Sequence, residues 1–359
     1  MPANAVTTVE CRTLHSVKES QPPFYIGVDV GGTSIKIGLV DDFGNPIETG
    51  EINDDGNHRS TLIIKTETNP QSACELMSAA IHSLLNRLQI EEKLVGGIGL
   101  GLPATMDKVT RQIRRPPNLP TWAEFAMCDA LAALVNYPVT FCNDANAAAY
   151  GEYWVGSANG QSSLALLTLG TGIGTGIIIE GKSLDGAIGY GGECGHIIID
   201  SADDALLCGC GQRGHLEAYC SAAGMAKRTL SLIMHRHSSI RAKVTPETRL
   251  ADIPKLVYYE AEGGDELALE IVLETAKYLA IGIVSLLHTL DPACVLLGGA
   301  MTFGGKKSPL GQQFLSQIVK EVKLRAFPAI AENVLIDFAI LGSNAGYIGA
   351  AGLAREAKK

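Results

Sequence analysis

The chain has 359 residues, which predicts about two domains and an interior large enough to hold without a disulfide framework. It carries 29 basic against 38 acidic residues, a formal net charge of -9, with 46% hydrophobic and 19% charged residues; this excludes a wholly disordered chain and disfavours a surface that grips a nucleic-acid backbone. Nine cysteines, an odd number at irregular spacings, fit free thiols or a metal in a reducing, cytoplasmic compartment better than paired disulfides.

Residues 1–23 lack the apolar segment of a secretory signal and contain Glu10 and Glu19, so they read as a disordered tail. Phe24 to Asp29 is a β-rich run that reaches Gly31-Gly32. The chain resumes as Ile35 to Val40, a hairpin pattern closed by the turn formers of Asp41 to Pro46. After Asn69-Pro70, apolar Leu76, Ile81, Leu84, Leu85 and Leu88 recur at helical spacing. Gly97 to Leu102 is a short buried strand ending at Pro103, and Trp122 to Leu134 a helix feeding the strand Val139 to Cys142. Asp144 to Tyr150 is helical by its alanines, with Asn143 or Asp144 as the N-cap.

Leu164 to Leu169 is again a strand, followed by the Gly/Thr run 170–176 and a strand Ile177 to Glu180. Helices then span Leu216 to His235 and Glu266 to Leu290, Ala293 to Leu297 is a core strand, and Ala345 to Ala354 is a closing helix. The apolar stretch Tyr278 to Leu290 contains Ser285 and His288 and is too short for a bilayer span, so no membrane association is expected. Strand, Gly-rich turn, strand thus occurs twice, which predicts a duplicated α/β fold of two lobes with a cleft where the glycine turns face each other. The expected division is 1–23 tail, 24–142 small domain, 143–343 large domain, and a helix over 344–359 packing back on the small domain.

Both turns suit phosphate. Asp29-Val30-Gly31-Gly32-Thr33 sets a carboxylate at a strand end, then two residues without side chains, then a hydroxyl. Backbone amides and Thr33 can donate to phosphate oxygens, Asp29 can hold Mg²⁺ or its waters, and Lys36 can offset phosphate charge; the alternative is an ordinary Gly-Gly hairpin turn. In the second turn Gly170, Thr171, Gly172, Gly174 and Gly176 alternate small residues and leave backbone open to an anion. The dinucleotide fingerprint fails there because Ile177-Ile178-Ile179 is strand-like where a helix should follow. The same isoleucines reject Gly176 to Ser183, which spells a P-loop letter for letter.

These turns, with Asn143-Asp144 between them and Glu193-Cys194-Gly195-His196 and Cys208-Gly209-Cys210-Gly211-Gln212-Arg213-Gly214 after them, carry a resemblance. Over residues 24–355 the chain resembles the ROK sugar kinases, within the two-lobed, duplicated ribonuclease H-like fold of actin, hexokinase and Hsp70 ATPases. The resemblance implies ATP-dependent phosphorylation of a hexose, D-glucose first, with fructose, mannose or an N-acetylhexosamine as alternatives, and a homodimer or higher homo-oligomer. Because the family also holds sugar-responsive repressors, and its fold non-catalytic ATPases, a non-enzymatic relative is the reading from another class.

Residue by residue, the resemblance makes Asp144 the general base; a helix cap is the alternative reading of that residue. It makes Asn118, Asn143, Glu193, His196 and Glu217 sugar ligands together with Asp144, and Gly298-Gly299 part of the adenosine segment. Ala104 stands where many relatives have glycine. His196, Cys208, Cys210 and His215 form a set suited to tetrahedral, structural Zn²⁺, with His215 replacing a third cysteine; Cys194 or Cys220 could substitute. The alternative is unligated thiols and a surface histidine.

Overall fold

The computed structural model describes residues 13–52, 57–114, 116 and 118–359. Three strands open the chain: β1 (Phe24–Val30), β2 (Ser34–Val40) and β3 (Thr61–Lys65). Helix α1 (Pro70–Arg87) starts where Asn69 accepts from the Ser72 amide and Pro70 needs no donor. Strand β4 (Val95–Leu102), the short β5 (Thr105–Met106) and β6 (Ile113–Arg114), helix α2 (Met127–Val135), β7 (Val139–Asn143) and α3 (Asp144–Trp154) follow. The second half brings β8 (Ser163–Leu169), β9 (Ile173–Ile179), β10 (Lys182–Ser183), α4 (Leu216–Cys220), α5 (Ala222–Ile233), α6 (Ile240–Lys243), α7 (Ile253–Glu262), α8 (Glu266–Leu290), β11 (Cys294–Gly298), α9 (Pro309–Arg325), α10 (Pro328–Asn333), β12 (Leu335–Phe338) and α11 (Ala345–Ala357). Among the described residues no helix is long and apolar enough to cross a membrane, and the described cysteines are free.

The two five-stranded sheets share one plan. The first runs β3-β2-β1-β4-β7 and the second β10-β9-β8-β11-β12. In the first, β1 and β2 form an antiparallel hairpin while β4 and β7 continue parallel to β1. In the second, β11 lies parallel to both β8 and β12. The duplication read from the two glycine turns is therefore a duplication of sheets.

The chain divides into two compact units: the described residues up to Gln161 with Gly176–Gly191 and Ile340–Lys359, and Ser162–Thr175 with Gly192–Ala339. Helix α3 thus belongs with the first sheet, although a boundary at 142/143 would place it with the second. Helix α11 lies on β1, β4 and α3. Glycine makes this approach feasible, because a methyl on Gly27 would stand 1.8 Å from the Tyr347 carbonyl oxygen and one on Gly99 1.8 Å from that of Ala350. The core beneath the other face of this sheet holds Ile26, Val28, Ile37, Met77, Ile81, Leu100 and Leu131. In the second unit Leu166, Leu167, Val295, Leu296, Ile283 and Phe314 are buried.

Three sequence expectations need correction. Of the expected tail, residues 1–12 lie outside the described residues, whereas 13–23 are tied down: His15 bridges Ile47, and Val17–Glu19 form a 3-10 turn in which Ser16 and Glu19 close a capping box. The helix expected over Leu216 to His235 is two helices, because Ser221 is extended and caps α5 through the Gly224 amide at 3.0 Å. The helix expected from Trp122 starts only at Met127, since Trp122 closes a 3-10 turn and buries its ring, with the indole N–H donating to Glu67 O at 3.0 Å.

Candidate active site

In the first unit β1 delivers Asp29 to a turn closed by the Gly31 amide on Ser34 O at 2.9 Å. Thr66 Oγ1 donates to Gly31 O at 2.8 Å, and Thr66 N to Thr33 O at 3.1 Å, so the carbonyls of Gly31 and Thr33 are bound by the residue that follows β3. Asn118 stands beside the turn: a methyl on Gly32 would lie 3.3 Å from its Cβ. Lys36, expected to turn toward phosphate, donates to Ser343 O at 3.1 Å. Burial raises the pKa of Asp29 above the ordinary carboxylate value, Lys36 opposes that rise, and the nearby Asp144 adds to it. The start of α11 covers Asp29 so closely that a methyl on Gly346 would meet its carboxylate at 2.7 Å.

Strand β7 runs directly into α3, and the capping question is decided at this junction. Asn143 is the N-cap: its Oδ1 accepts from the amides of Ala145 (2.9 Å) and Asn146 (3.4 Å), and its Nδ2 donates to Ala104 O at 3.3 Å. Asp144 is the first helical residue and accepts from the Ala145 amide at 2.9 Å. The cap reading therefore falls on Asn143, and Asp144 is released from that duty. Burial raises the Asp144 pKa, with backbone hydrogen bonds opposing the rise.

In the second unit the glycine turn is shorter than the sequence run. The Gly170 amide closes it on Gly172 O at 3.0 Å, and β9 begins at Ile173, so Gly174 and Gly176 are strand residues. Gly176 serves packing, since a methyl there would stand 2.2 Å from Ala145 O. Glu217 holds the turn: its Oε2 accepts the Ile173 amide at 3.0 Å and would meet a methyl on Gly172 at 2.4 Å. Its Oε1 accepts from Cys208 Sγ at 3.4 Å. Gly298-Gly299 reaches the same turn, because the Met301 amide donates to Leu169 O at 3.1 Å and Gly299, at φ +88, leaves no room for a methyl against Leu169. Gly172 and Thr171 line a cavity of about 230 Å³ together with Ser221, Gly224 and Lys227. Ser221 and Lys227 lie inside the stretch that helical spacing reads as one helix; the signal in the sequence is Ser221 three residues before Gly224, a cap pattern within that stretch.

His196, Cys208, Cys210 and His215 bring one ligand atom each within 4.8 Å of one another. His196 Nδ1 lies 3.8 Å from Cys208 Sγ, and His215 Nδ1 lies 3.2 Å from Cys210 Sγ. The loop that does this is a tight turn, with the Cys208 amide on Gln212 O at 2.8 Å and Gly211 at φ +90. Two thiols and two imidazoles at this spacing fit tetrahedral Zn²⁺. Cys194 lies outside this cluster, and Cys220 is buried with its thiol toward Thr275 O at 3.6 Å. Glu193 Oε2 stands 3.8 Å from the other ring nitrogen, His196 Nε2.

The ROK family model matches residues 25–357. The chain belongs to the ROK family. Among its relatives a glucokinase from Halalkalibacterium halodurans is 33% identical over 338 residues, 93% of this chain and 95% of that one. A ROK family glucokinase from Streptomyces griseus, solved in complex with glucose and AMPPNP, superposes with a TM-score of 0.67 at 30% identity over 93% of this chain and 99% of that one. A xylose repressor from Caldicellulosiruptor bescii is 27% identical over 325 residues, 90% of this chain and 76% of that one. With two sheets of one strand order, this ROK chain has the duplicated α/β architecture of the actin-like fold.

Proposed function

We propose that this chain is an ATP-dependent hexose kinase that converts D-glucose to glucose 6-phosphate, with Asp144 as the general base. The observation that carries the reading is the division of labour at the start of α3, where Asn143 caps and Asp144, raised in pKa by burial, is left for chemistry. Asp144 accepts a hydrogen bond from the sugar 6-hydroxyl and orients its oxygen toward the γ-phosphorus. As the O–P bond forms and the bond to ADP breaks, the hydroxyl proton passes to the carboxylate. The backbone turns at Gly31-Gly32 and Gly170 to Gly172 receive the nucleotide's phosphates, with Thr33, Thr171 and Lys227 as donors, and Asp29 would hold the Mg²⁺ that accompanies ATP, or its waters. Gly298-Gly299 lies against adenosine. The glucokinase relative and the glucose and AMPPNP complex support glucose and ATP as the pair.

Asn118, Asn143, Glu193, His196 and Glu217 read the sugar hydroxyls. Glu217 is an acceptor in both of its observed contacts, so it also ties the glycine turn to the cysteine loop. The four donors would hold a structural Zn²⁺, which would fix this loop. Zinc there would take Cys208 as its thiolate, which would leave Glu217 Oε1 open to accept from a sugar hydroxyl. His196 would hold the metal through Nδ1, the ring nitrogen 3.8 Å from Cys208 Sγ, and its Nε2–H would remain a donor.

The test is an ADP-release assay with MgATP across glucose, mannose, fructose and N-acetylglucosamine. Glucose is expected to give the highest kcat/KM. A different preferred sugar replaces the substrate, and turnover of none of them leaves the sugar-binding, repressor-like reading.

A further inference from the structure

The amides at the tip of the first glycine turn are open. Gly31 N–H is taken by Ser34 O at 2.9 Å, whereas the N–H groups of Gly32 and Thr33, both exposed, donate to nothing among the described residues. The turn's carbonyls are bound instead. Thr66 takes two of them, Gly31 O through its hydroxyl at 2.8 Å and Thr33 O through its amide at 3.1 Å. A turn with its acceptors bound and its donors free is set for an anion.

The hydroxyl bond goes beyond what closing the hairpin requires. In a planar trans peptide the C=O and N–H point to opposite sides, so holding Gly31 O toward Thr66 aims Gly32 N–H away from it. The peptide between Gly31 and Gly32 has no side chain on either flank and flips at little cost. Flipped, it would set a carbonyl oxygen where an amide now stands and repel a phosphate. Thr66 is a firm anchor against that flip. It is 7% exposed and continues the β2–β3 register, in which Lys65 faces Ser34. The residue after it is fixed as well, because Glu67 O accepts the indole N–H of the fully buried Trp122 at 3.0 Å. Valine would serve packing at this position, so the hydroxyl is there for the Gly31 carbonyl.

We infer that Thr66 is a positioning residue for phosphate binding, its hydroxyl fixing the Gly31–Gly32 peptide with the amide outward. The inference rests on the proposed reading that this turn receives the phosphates of ATP. Thr66 acts through the turn and takes no part in the chemistry.

Calorimetric titration of the full chain with AMPPNP and Mg²⁺, beside steady-state kinetics with ATP and glucose, tests the assignment. Thr66→Val keeps the shape and the backbone amide and removes the hydroxyl. It should weaken AMPPNP binding and raise KM for ATP about 3- to 10-fold, with KM for glucose unchanged. Thr66→Ser, which keeps the hydroxyl, should restore the wild-type nucleotide affinity. If Thr66→Val fails to fold, Thr66→Ala against Thr66→Ser carries the same comparison, since those two side chains differ by the hydroxyl alone. Wild-type AMPPNP affinity in Thr66→Val overturns the inference. So does equal weakening in the valine and serine variants, or a parallel rise in both KM values, which a merely structural role would give. A wild type that binds AMPPNP but phosphorylates no sugar removes the kinase reading, and the AMPPNP comparison alone then decides Thr66. A wild type that binds no AMPPNP overturns both.

Discussion

Asp144→Asn isolates the chemical step because the two side chains have nearly the same shape. The amide oxygen of asparagine can still accept from the Ala145 amide, now 2.9 Å from Asp144 Oδ1, and the cap stays on Asn143. What disappears is the acceptor of the hydroxyl proton, a contribution of about 10²- to 10⁴-fold in rate, or about 3 to 5 kcal/mol of barrier. Stability should move the other way. Burial lifts the Asp144 pKa above its ordinary 3.8, so in the fold this group favours its protonated form. Its contribution to stability is whole below the unfolded value and is lost as pH rises through the raised folded value. At neutral pH asparagine removes that loss, so the melting temperature should hold or rise. The kcat of the wild type should fall as pH drops through the raised value, and that limb should vanish in the variant. Steady-state kinetics, glucose titration and thermal melting over pH check all three. Turnover near wild type would remove Asp144 from its role, and a large fall in melting temperature would show that the carboxylate is structural.

Other outcomes follow from single contacts. Gly170→Ala should fold normally and raise KM for ATP, because the nearest atom to the new methyl is 4.0 Å away, whereas Gly176→Ala should unfold readily, with a methyl 2.2 Å from Ala145 O; melting curves and ATP kinetics separate the two glycines. Glu152, fully buried, accepts the amides of Ser157 (2.8 Å), Ile340 (2.9 Å) and Leu341 (2.7 Å). Glu152→Ala strands these donors and should cost about 3 to 5 kcal/mol in urea unfolding, with Glu152→Gln costing less; equal effects would deny the carboxylate this role. Metal analysis should find about one zinc per chain, lost in Cys210→Ser with a lower melting temperature, and chelation that leaves melting and activity unchanged would refute the site.

Much of the molecule was legible because the signals are local. The alternation and glycines of 24–40 and 164–179 announce two hairpins, and the structure answers with two sheets of one order. The spacing of Cys208, Cys210 and His215 sets three of the four clustered donors on one short loop, and a single further residue, His196, completes the set. Asn143-Asp144 at a strand-to-helix junction is readable as a cap and a neighbour, though which does which is not.

Hydrophobic period and turn chemistry are written within a few residues and survive in the sequence; they determined the strand order's raw material, the helix at 266–290 and the donor spacing. Partners that arrive from far along the chain were decided only by packing. Ala145 pressing on Gly176 makes one glycine structural, and Glu217 closing on Ile173 and Cys208 joins two loops. The Ser221 break belongs to the same class, since backbone and side-chain polar groups choose their bonds only once the surrounding elements have met.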